Sequence, residues 1–485
     1  MMNLKRYLYA SAMIAMLAML AACKDNNEPV IDDEEEVETK EPTATQKWIE
    51  STMREHYLWY DEIPTKSRLD YTLDDNAFFT SMLSTKDGRM YDGKHYPFSY
   101  MEKVNKTRNF IQADYSYGFE YIGFYVNDGA NLVAVVLYVL DQSPADEAGL
   151  KRGDWVLKKN DKLMTESDFA TLPGGAACTF TIGHYDPNSG FAQDKDISMP
   201  AARAVDDNPV YYSDVITSAT GKKVAYLVYN EFEEGIANDD VEYKDRDTSY
   251  DDLLRKLSAE KFADVDEFVL DLRYNNGGLL SSAILLCSIF QPSDYLGQDL
   301  GYLEYNTKQT PRKFRFITDT ETYLKTGKNL NLKRLFVLTS TDTASASEMI
   351  INCLNPMMEV VVIGEQTVGK NVGSEEYKDD DNTWKMHPIV CKLTNIKDWG
   401  DYNNGFTPHV TVNEIYDLTS DGKADIQTML PLGDPQERLL RVALGMIDGS
   451  STTRSTPATV GTPVDLKPVF RSISRKSTPG VVVRH

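Results

Sequence analysis

Three short apolar runs, Phe268-Val269-Leu270, Leu335-Phe336-Val337-Leu338 and Val360-Val361-Val362-Ile363, constrain the fold more than any other feature. Each is too short for a helix and shows no polar alternation, so each reads as a strand buried on both faces. Lys223-Val224-Ala225-Tyr226-Leu227-Val228-Tyr229 reads as a further strand. Among these strands a helix begins near residue 250 with Leu253, Leu254 and Leu257 on one side, and another begins near Ala344 with Met349, Ile350, Cys353 and Leu354. Alternating strands and helices predict an α/β layer fold over about residues 206–413. A final helix is expected over 435–447, carrying Leu439, Leu440, Ala443 and Leu444 and stopped by Gly449.

The chain has 485 residues, enough for roughly three folded units, so this core does not account for all of it. Over 115–204 the pattern changes to short runs such as Leu132-Val133-Ala134-Val135-Val136-Leu137 broken by Gly and Asp turns, which predicts a small β-rich domain. Upstream, Trp48, Ile49, Met53, Tyr57, Leu58 and Tyr60 recur at spacings of three and four, the stripe of a small helical domain packing its own core, with His56 as a structural residue. Residues 450–485 hold six Lys or Arg and one Asp among many Ser, Thr and Pro, the composition of a flexible basic tail.

At the other end, Lys5 and Arg6 precede an apolar stretch over 10–20 that closes on small residues, the layout of an export signal. Leu20-Ala21-Ala22-Cys23 resembles the lipobox of bacterial lipoproteins, which implies acylation of Cys23 and membrane attachment through the lipid. Six acids in the seven residues 32–38 form a solvated tether, and the Lys24-Asp25-Asn26-Asn27-Glu28 start resembles tags of surface-exposed Bacteroidetes lipoproteins. An outer-membrane location follows, periplasmic or surface-exposed. The formal charge of −23 and the lack of a GxxxxGK[ST] loop argue against nucleic acid or nucleotide as partner. Cys178, Cys287, Cys353 and Cys391 have no CxxC spacing and read as buried thiols. The six histidines form no HExxH pair, and the calcium-like start at Asp417 ends on Thr428 at position twelve, so a turn and no metal site is expected.

Three segments carry candidate chemistry. Ser345 lies where a strand gives way to a helix, which points a hydroxyl towards the open sheet edge beside a helix dipole, although Ser or Thr there commonly only caps the helix. Lys370 lies in Gly364-Glu365-Gln366-Thr367-Val368-Gly369-Lys370; a lysine can act as a base when burial keeps its amine neutral, whereas most lysines are solvated. Gly277 and Gly278 follow Asp271-Leu272-Arg273-Tyr274-Asn275-Asn276, where paired glycines allow backbone N–H groups to face a carbonyl oxygen or simply make a tight turn.

In this order, these segments resemble the S41 peptidases, the C-terminal processing proteases. Ahead of them Ser143-Pro144-Ala145-Asp146-Glu147-Ala148-Gly149-Leu150-Lys151-Arg152-Gly153-Asp154 resembles the PDZ signature, with Tyr121-Ile122-Gly123-Phe124 in place of the carboxylate-binding loop and Tyr121 replacing its first glycine. The resemblance implies a crotonase-like ββα protease core, Ser345 as nucleophile and Lys370 as its base 25 residues on, Ala346 with Gly277 or Gly278 as oxyanion donors, and no cofactor. It also implies polypeptide substrates docked by their tails at Tyr121, Ile122, Gly123 and Phe124. The family often orients its lysine with a glutamine four residues on; here that position is Ser374. The expected organisation is a multidomain α/β chain: signal peptide 1–22, acidic tether 23–44, helical N-terminal domain 45–108, PDZ-like domain 109–204, protease core with C-terminal helix 205–449 and flexible tail 450–485. The alternatives are a non-catalytic peptide-binding lipoprotein with the same PDZ unit, and a glycan-active lipoprotein, for which the chain places no carboxylate pair. The lipobox makes a direct prediction: Cys23→Ser releases the protein from the detergent phase or leaves an unprocessed precursor, because the acyl chains supply the membrane affinity. A processed variant that still partitions into detergent refutes it.

Overall fold

The computed structural model describes residues 41–475 and 481–482, apart from 92, 105–114, 128, 130, 187, 236–246 and 451–462. The expected signal segment, Cys23 and nearly all of the tether lie outside the described residues. The apolar runs form the strands Glu267–Asp271, Arg334–Thr339 and Glu359–Gly364, parallel to one another and to Lys223–Tyr229, with Val210–Thr217 antiparallel at one edge and Val410–Thr411 at the other. Alternate side chains go to opposite faces, as a strand requires. Phe268, Leu270, Leu335, Val337, Val360 and Val362 pack with the helices Ser249–Ala259, Leu280–Phe290 and Ala346–Leu354. Val269, Phe336, Leu338, Val361 and Ile363 pack on the other face with Leu439, Leu440 and Ala443 of the helix Arg438–Ile447 and with Phe124, Val135 and Trp155.

A second sheet runs in the order Lys313–Ile317, Asp299–Tyr305, Ile389–Asn395, Val372–Ser374, Val481–Val482. The β-rich region forms a third, in the order Gly190–Met199, Cys178–Asp186, Trp155–Lys159, Asn131–Val139, Phe119–Val126, Leu466–Arg471. The helix Pro144–Glu147, capped by the Ser143 hydroxyl, lies in the segment whose sequence resembles the PDZ signature. Cys287, Cys353 and Cys391 are buried free thiols and Cys178 a partly buried one.

Three expectations need correction. The terminal helix starts at Arg438 and not at 435, because the Glu437 carboxylate caps it by accepting from the Leu439 and Leu440 N–H groups at 3.1 and 3.0 Å. The helical region does not pack a core of its own: Ile49, Met53, Tyr57, Phe78 and Phe79 cluster with Val372, Trp384, Met386 and Ile389 of the protease core. The third concerns the tail. Residues 466–471 are a strand in the PDZ-like sheet, since Phe119–Val126 leaves an edge of unpaired backbone groups that an extended segment satisfies.

A buried ion cluster joins these parts. The Arg273 guanidinium, fully buried, meets Asp271 at 2.7 Å, Glu437 at 2.7 Å and Glu414 at 3.2 Å. Arg152, from the PDZ-like segment, reaches Glu414 at 2.8 Å and donates to the carbonyls of Leu137 and Leu430 at 2.7 and 2.8 Å. Tyr274 donates to Glu414 and Tyr226 to Asp271. Burial alone would raise the pKa of Glu437; the two guanidinium groups outweigh it and hold the carboxyl at about 2. Removing one partner leaves uncompensated charge in the interior, so Arg273→Met is expected to lower unfolding free energy by about 3–5 kcal/mol, read from the urea midpoint. A midpoint within experimental error of wild type refutes this account of the junction.

Candidate active site

The loop after strand Arg334–Thr339 is tied down before it reaches the helix. Thr343 accepts at its hydroxyl from the Ser340 N–H at 2.9 Å and donates to the Leu272 carbonyl at 2.8 Å, and the Ala344 N–H donates to the Asn275 carbonyl at 3.2 Å. Ser345 follows with φ +60° and ψ −108°, a conformation that non-glycine residues rarely adopt and that must be held by its surroundings. It is fully buried, and the helix Ala346–Leu354 begins immediately after it. Gly277 lies directly against it: a Cβ there would stand 2.9 Å from the Ser345 Cβ and 3.4 Å from the Ala346 nitrogen, so no larger residue fits. The Gly277 N–H donates to Asn275 Oδ1 at 2.9 Å.

Lys370 is brought to this point by Glu348. The Glu348 carboxylate, fully buried, accepts from the Ser345 N–H at 2.8 Å, the Lys370 N–H at 2.8 Å, the Gly369 N–H at 2.6 Å and the Thr367 hydroxyl at 2.5 Å. Ser345 and Lys370 thus donate to the same oxygen of one side chain. A further bond, Val368 N–H to the Thr343 carbonyl at 3.0 Å, ties the lysine loop to the serine loop. Burial pushes the Glu348 carboxyl pKa up, opposed by these hydrogen bonds.

The Lys370 side chain is 6% exposed, and its Nζ lies 4.9 Å from the centre of the Phe98 ring. Burial pulls its pKa down from 10.5 to about 7, against the charges of Asp87 and Glu348, which act to raise it. Asp87 is itself held by the Phe98 and Ser99 N–H groups, each at 3.0 Å, and by the Tyr57 hydroxyl at 2.8 Å. The helical N-terminal region therefore forms one wall of the lysine site. Ser374 is fully buried on Val372–Ser374, opposite Ile389 and Val482 in register.

Glu348, Asp87 and Phe98 were not among the residues singled out from sequence. Glu348 had a visible signal, an acid three residues after a serine at a helix start; Asp87 and Phe98 had none, being distant in the chain. Tyr121, Ile122, Gly123 and Phe124 belong to the PDZ-like sheet, and there a correction is needed. Ile122 and Phe124 do not line a groove but pack towards the core, Phe124 against Trp155 and Tyr416, while the period of two leaves Tyr121 and Gly123 on the face beside Phe169.

Comparison with known proteins follows the same outline. The model for peptidase family S41 matches residues 223–412, which contain Ser345, Lys370 and both glycines, and the model for the peptidase S41 N-terminal domain matches 44–100, which contain Asp87 and Phe98. The crystal structure of an S41-assigned protease from Bacteroides fragilis is 35% identical with a TM-score of 0.71, over 83% of this chain and 97% of that one. This chain belongs to peptidase family S41. Among curated relatives, the carboxyl-terminal-processing protease of Picosynechococcus is 27% identical over 51% of this chain and 53% of its own, and the carboxy-terminal processing protease CtpA of Bacillus subtilis 26% identical over 65% and 60%. The chain thus spans about half to three fifths of the length of these relatives.

The balance at Lys370 is open to a direct test. Asp87→Asn removes an anion that favours the ammonium form, so the Lys370 pKa should fall further, by up to about one unit. A pH titration of the lysine side-chain resonances in lysine-labelled protein, assigned against Lys370→Arg, reads this; a titration moving upward contradicts the assignment.

Proposed function

We propose that this chain is an exported, lipid-anchored serine endopeptidase that cleaves polypeptides with a Ser345/Lys370 dyad. The observation that carries the reading is a buried lysine whose pKa is near 7, held by one carboxylate to the backbone of a strained serine at a helix start. A base with a pKa near the working pH is neutral in a useful fraction of molecules and can still return the proton it takes.

In this mechanism the Ser345 oxygen attacks the scissile carbonyl carbon while Lys370 takes the hydroxyl proton. The carbonyl oxygen becomes an oxyanion, stabilised by the N–H groups of Ala346 and Gly278 and by the helix start. As the C–N bond breaks, Lys370 gives the proton to the departing amine, leaving an acyl ester on Ser345. Water then attacks the ester with Lys370 again as base. Ser374 is a positioning candidate for the lysine. The groove beside Tyr121 and Gly123 holds the polypeptide, and the lipid on Cys23 keeps the enzyme at the outer membrane. The names of the curated relatives, carboxyl-terminal-processing proteases, support a polypeptide tail as the substrate class.

Ser345→Ala and Lys370→Ala should each lower the rate on denatured casein by at least about a thousandfold with the fold intact, since nucleophile and base act as a unit. Ser347→Ala should stay active, because the Ser347 hydroxyl donates to the Asn275 carbonyl and has no part in the chemistry. Cleavage by Ser345→Ala at the wild-type rate, in a preparation free of other proteases, sinks the dyad.

A further inference from the structure

The free edge of a PDZ-like sheet is where such a unit takes an extended peptide. In this structure that edge is filled by the chain itself. The strand Leu466–Arg471 runs antiparallel to Phe119–Val126, with Leu466 opposite Val126, Lys467 opposite Tyr125, Pro468 opposite Phe124, Phe470 opposite Gly123 and Arg471 opposite Ile122. The Phe470 ring stacks on Tyr121 at 5.7 Å and on Phe169 at 6.1 Å, with interplanar angles of 17° and 13°. Phe169 also lies directly against Gly123, where a Cβ would meet its ring at 2.8 Å. Where a terminal carboxylate was expected, the Tyr121 N–H donates to the Ser472 hydroxyl at 2.7 Å, and the chain continues beyond it.

The same segment then reaches the catalytic loops. Arg471 pairs with Asp342, three residues before Ser345, at 2.8 Å, and the Ile473 carbonyl accepts from Asn276, beside Gly277, at 3.4 Å. Farther on, Val481–Val482 pairs in parallel with the strand that follows Lys370, Val481 opposite Gly373 and Val482 opposite Ser374. One stretch of chain therefore touches the groove, the oxyanion turn and the strand after the base, in that order. It is also an imperfect strand: Pro468 has no N–H to give, and the register slips between Pro468 and Phe470. The resident strand thus makes fewer ladder bonds than an uninterrupted strand of its length would.

We propose that this path is the peptide-binding path of the enzyme, that residues 463–473 and 481–482 fill it, and that substrate enters by displacing them. The substrate then presents an internal extended stretch with an aromatic side chain in the slot between Tyr121 and Phe169, and no free C-terminal carboxylate is needed. The proposal rests on the peptidase reading only for its consequence on turnover; occupancy of the path is independent of it.

The test uses the full chain in three forms: wild type, Phe470→Ser, and the pair Tyr125→Cys with Lys467→Cys, whose positions face each other across the ladder. The probe is a fluorescent, C-terminally amidated peptide copying residues 464–473. Phe470→Ser should bind it at least tenfold more tightly than wild type, and the oxidised cysteine pair should bind it least. The free-acid peptide should bind no better than the amide. On casein, oxidation of the pair should slow cleavage at least tenfold, with recovery on reduction. Equal cleavage by the oxidised and reduced forms, or equal peptide binding by wild type and a folded Phe470→Ser, would make the strand a permanent part of the sheet and overturn the proposal. If Phe470→Ser does not fold, the cysteine pair decides alone. If wild type cleaves nothing while Phe470→Ser takes up the peptide, the filled path stands and only the peptidase reading falls.

Discussion

Two guanidinium groups and three carboxylates buried together at the start of the turn that leads to Gly277 hold this molecule in one arrangement. Each of those charges would be costly in the interior without its partners. Their sources make the cluster a junction: Arg152 comes from the PDZ-like segment, Asp271 and Arg273 from the end of a central strand, Glu414 from the stretch after the sheet's last strand, and Glu437 from the cap of the terminal helix. Hydrophobic packing between the two units supplies area without direction. The charges supply direction, since a guanidinium fork accepts carboxylates in few geometries. Arg273 also opens the turn that leads to Gly277 and Gly278, so the groove and the catalytic loops are referred to the same side chain.

A further carboxylate, Glu348, does for the loops that carry Ser345 and Lys370 what the cluster does for the domains. Glu348 gathers four donors from two loops, and two of those donors are the backbones of Ser345 and Lys370. A serine at φ +60° is strained, and such strain persists only where neighbouring bonds fix it. The Ser345 N–H bond to Glu348, the Ala344 N–H bond to Asn275 and the close approach of Gly277 provide that restraint from three sides.

What the sequence made legible follows from how local each signal is. The central strands could be read because burial on both faces leaves nothing but apolar residues, a pattern visible within four or five positions. Ser345, Lys370 and the two glycines were singled out because they lie in short motifs whose order resembles the S41 pattern. The helical region was misjudged because a third of its buried core, Val372, Trp384, Met386 and Ile389, lies some three hundred residues away. The tail was misjudged because Ser, Thr, Pro and basic residues dominate its composition, while the few side chains that dock, Val464, Phe470 and Ile473, are too sparse and irregular to register as a strand. Ile122 and Phe124 were assigned to the groove because a motif gives the position of a strand but not which of its two faces is outward.

The pKa of Lys370 joins these levels. Burial lowers it, and exposure would leave it near 10.5, where almost no neutral amine exists at pH 7. The value near 7 arises because two carboxylates from different parts of the chain oppose the burial, Asp87 from the N-terminal region and Glu348 from the helix Ala346–Leu354. Asp87 can do so only while Tyr57, Phe98 and Ser99 hold it in place, and Tyr57 sits there because it belongs to the shared core with Met386 and Ile389. The N-terminal region thus has a chemical reason to be packed against the protease core: its wall keeps water from the lysine and lowers the pKa, and its acid opposes that fall.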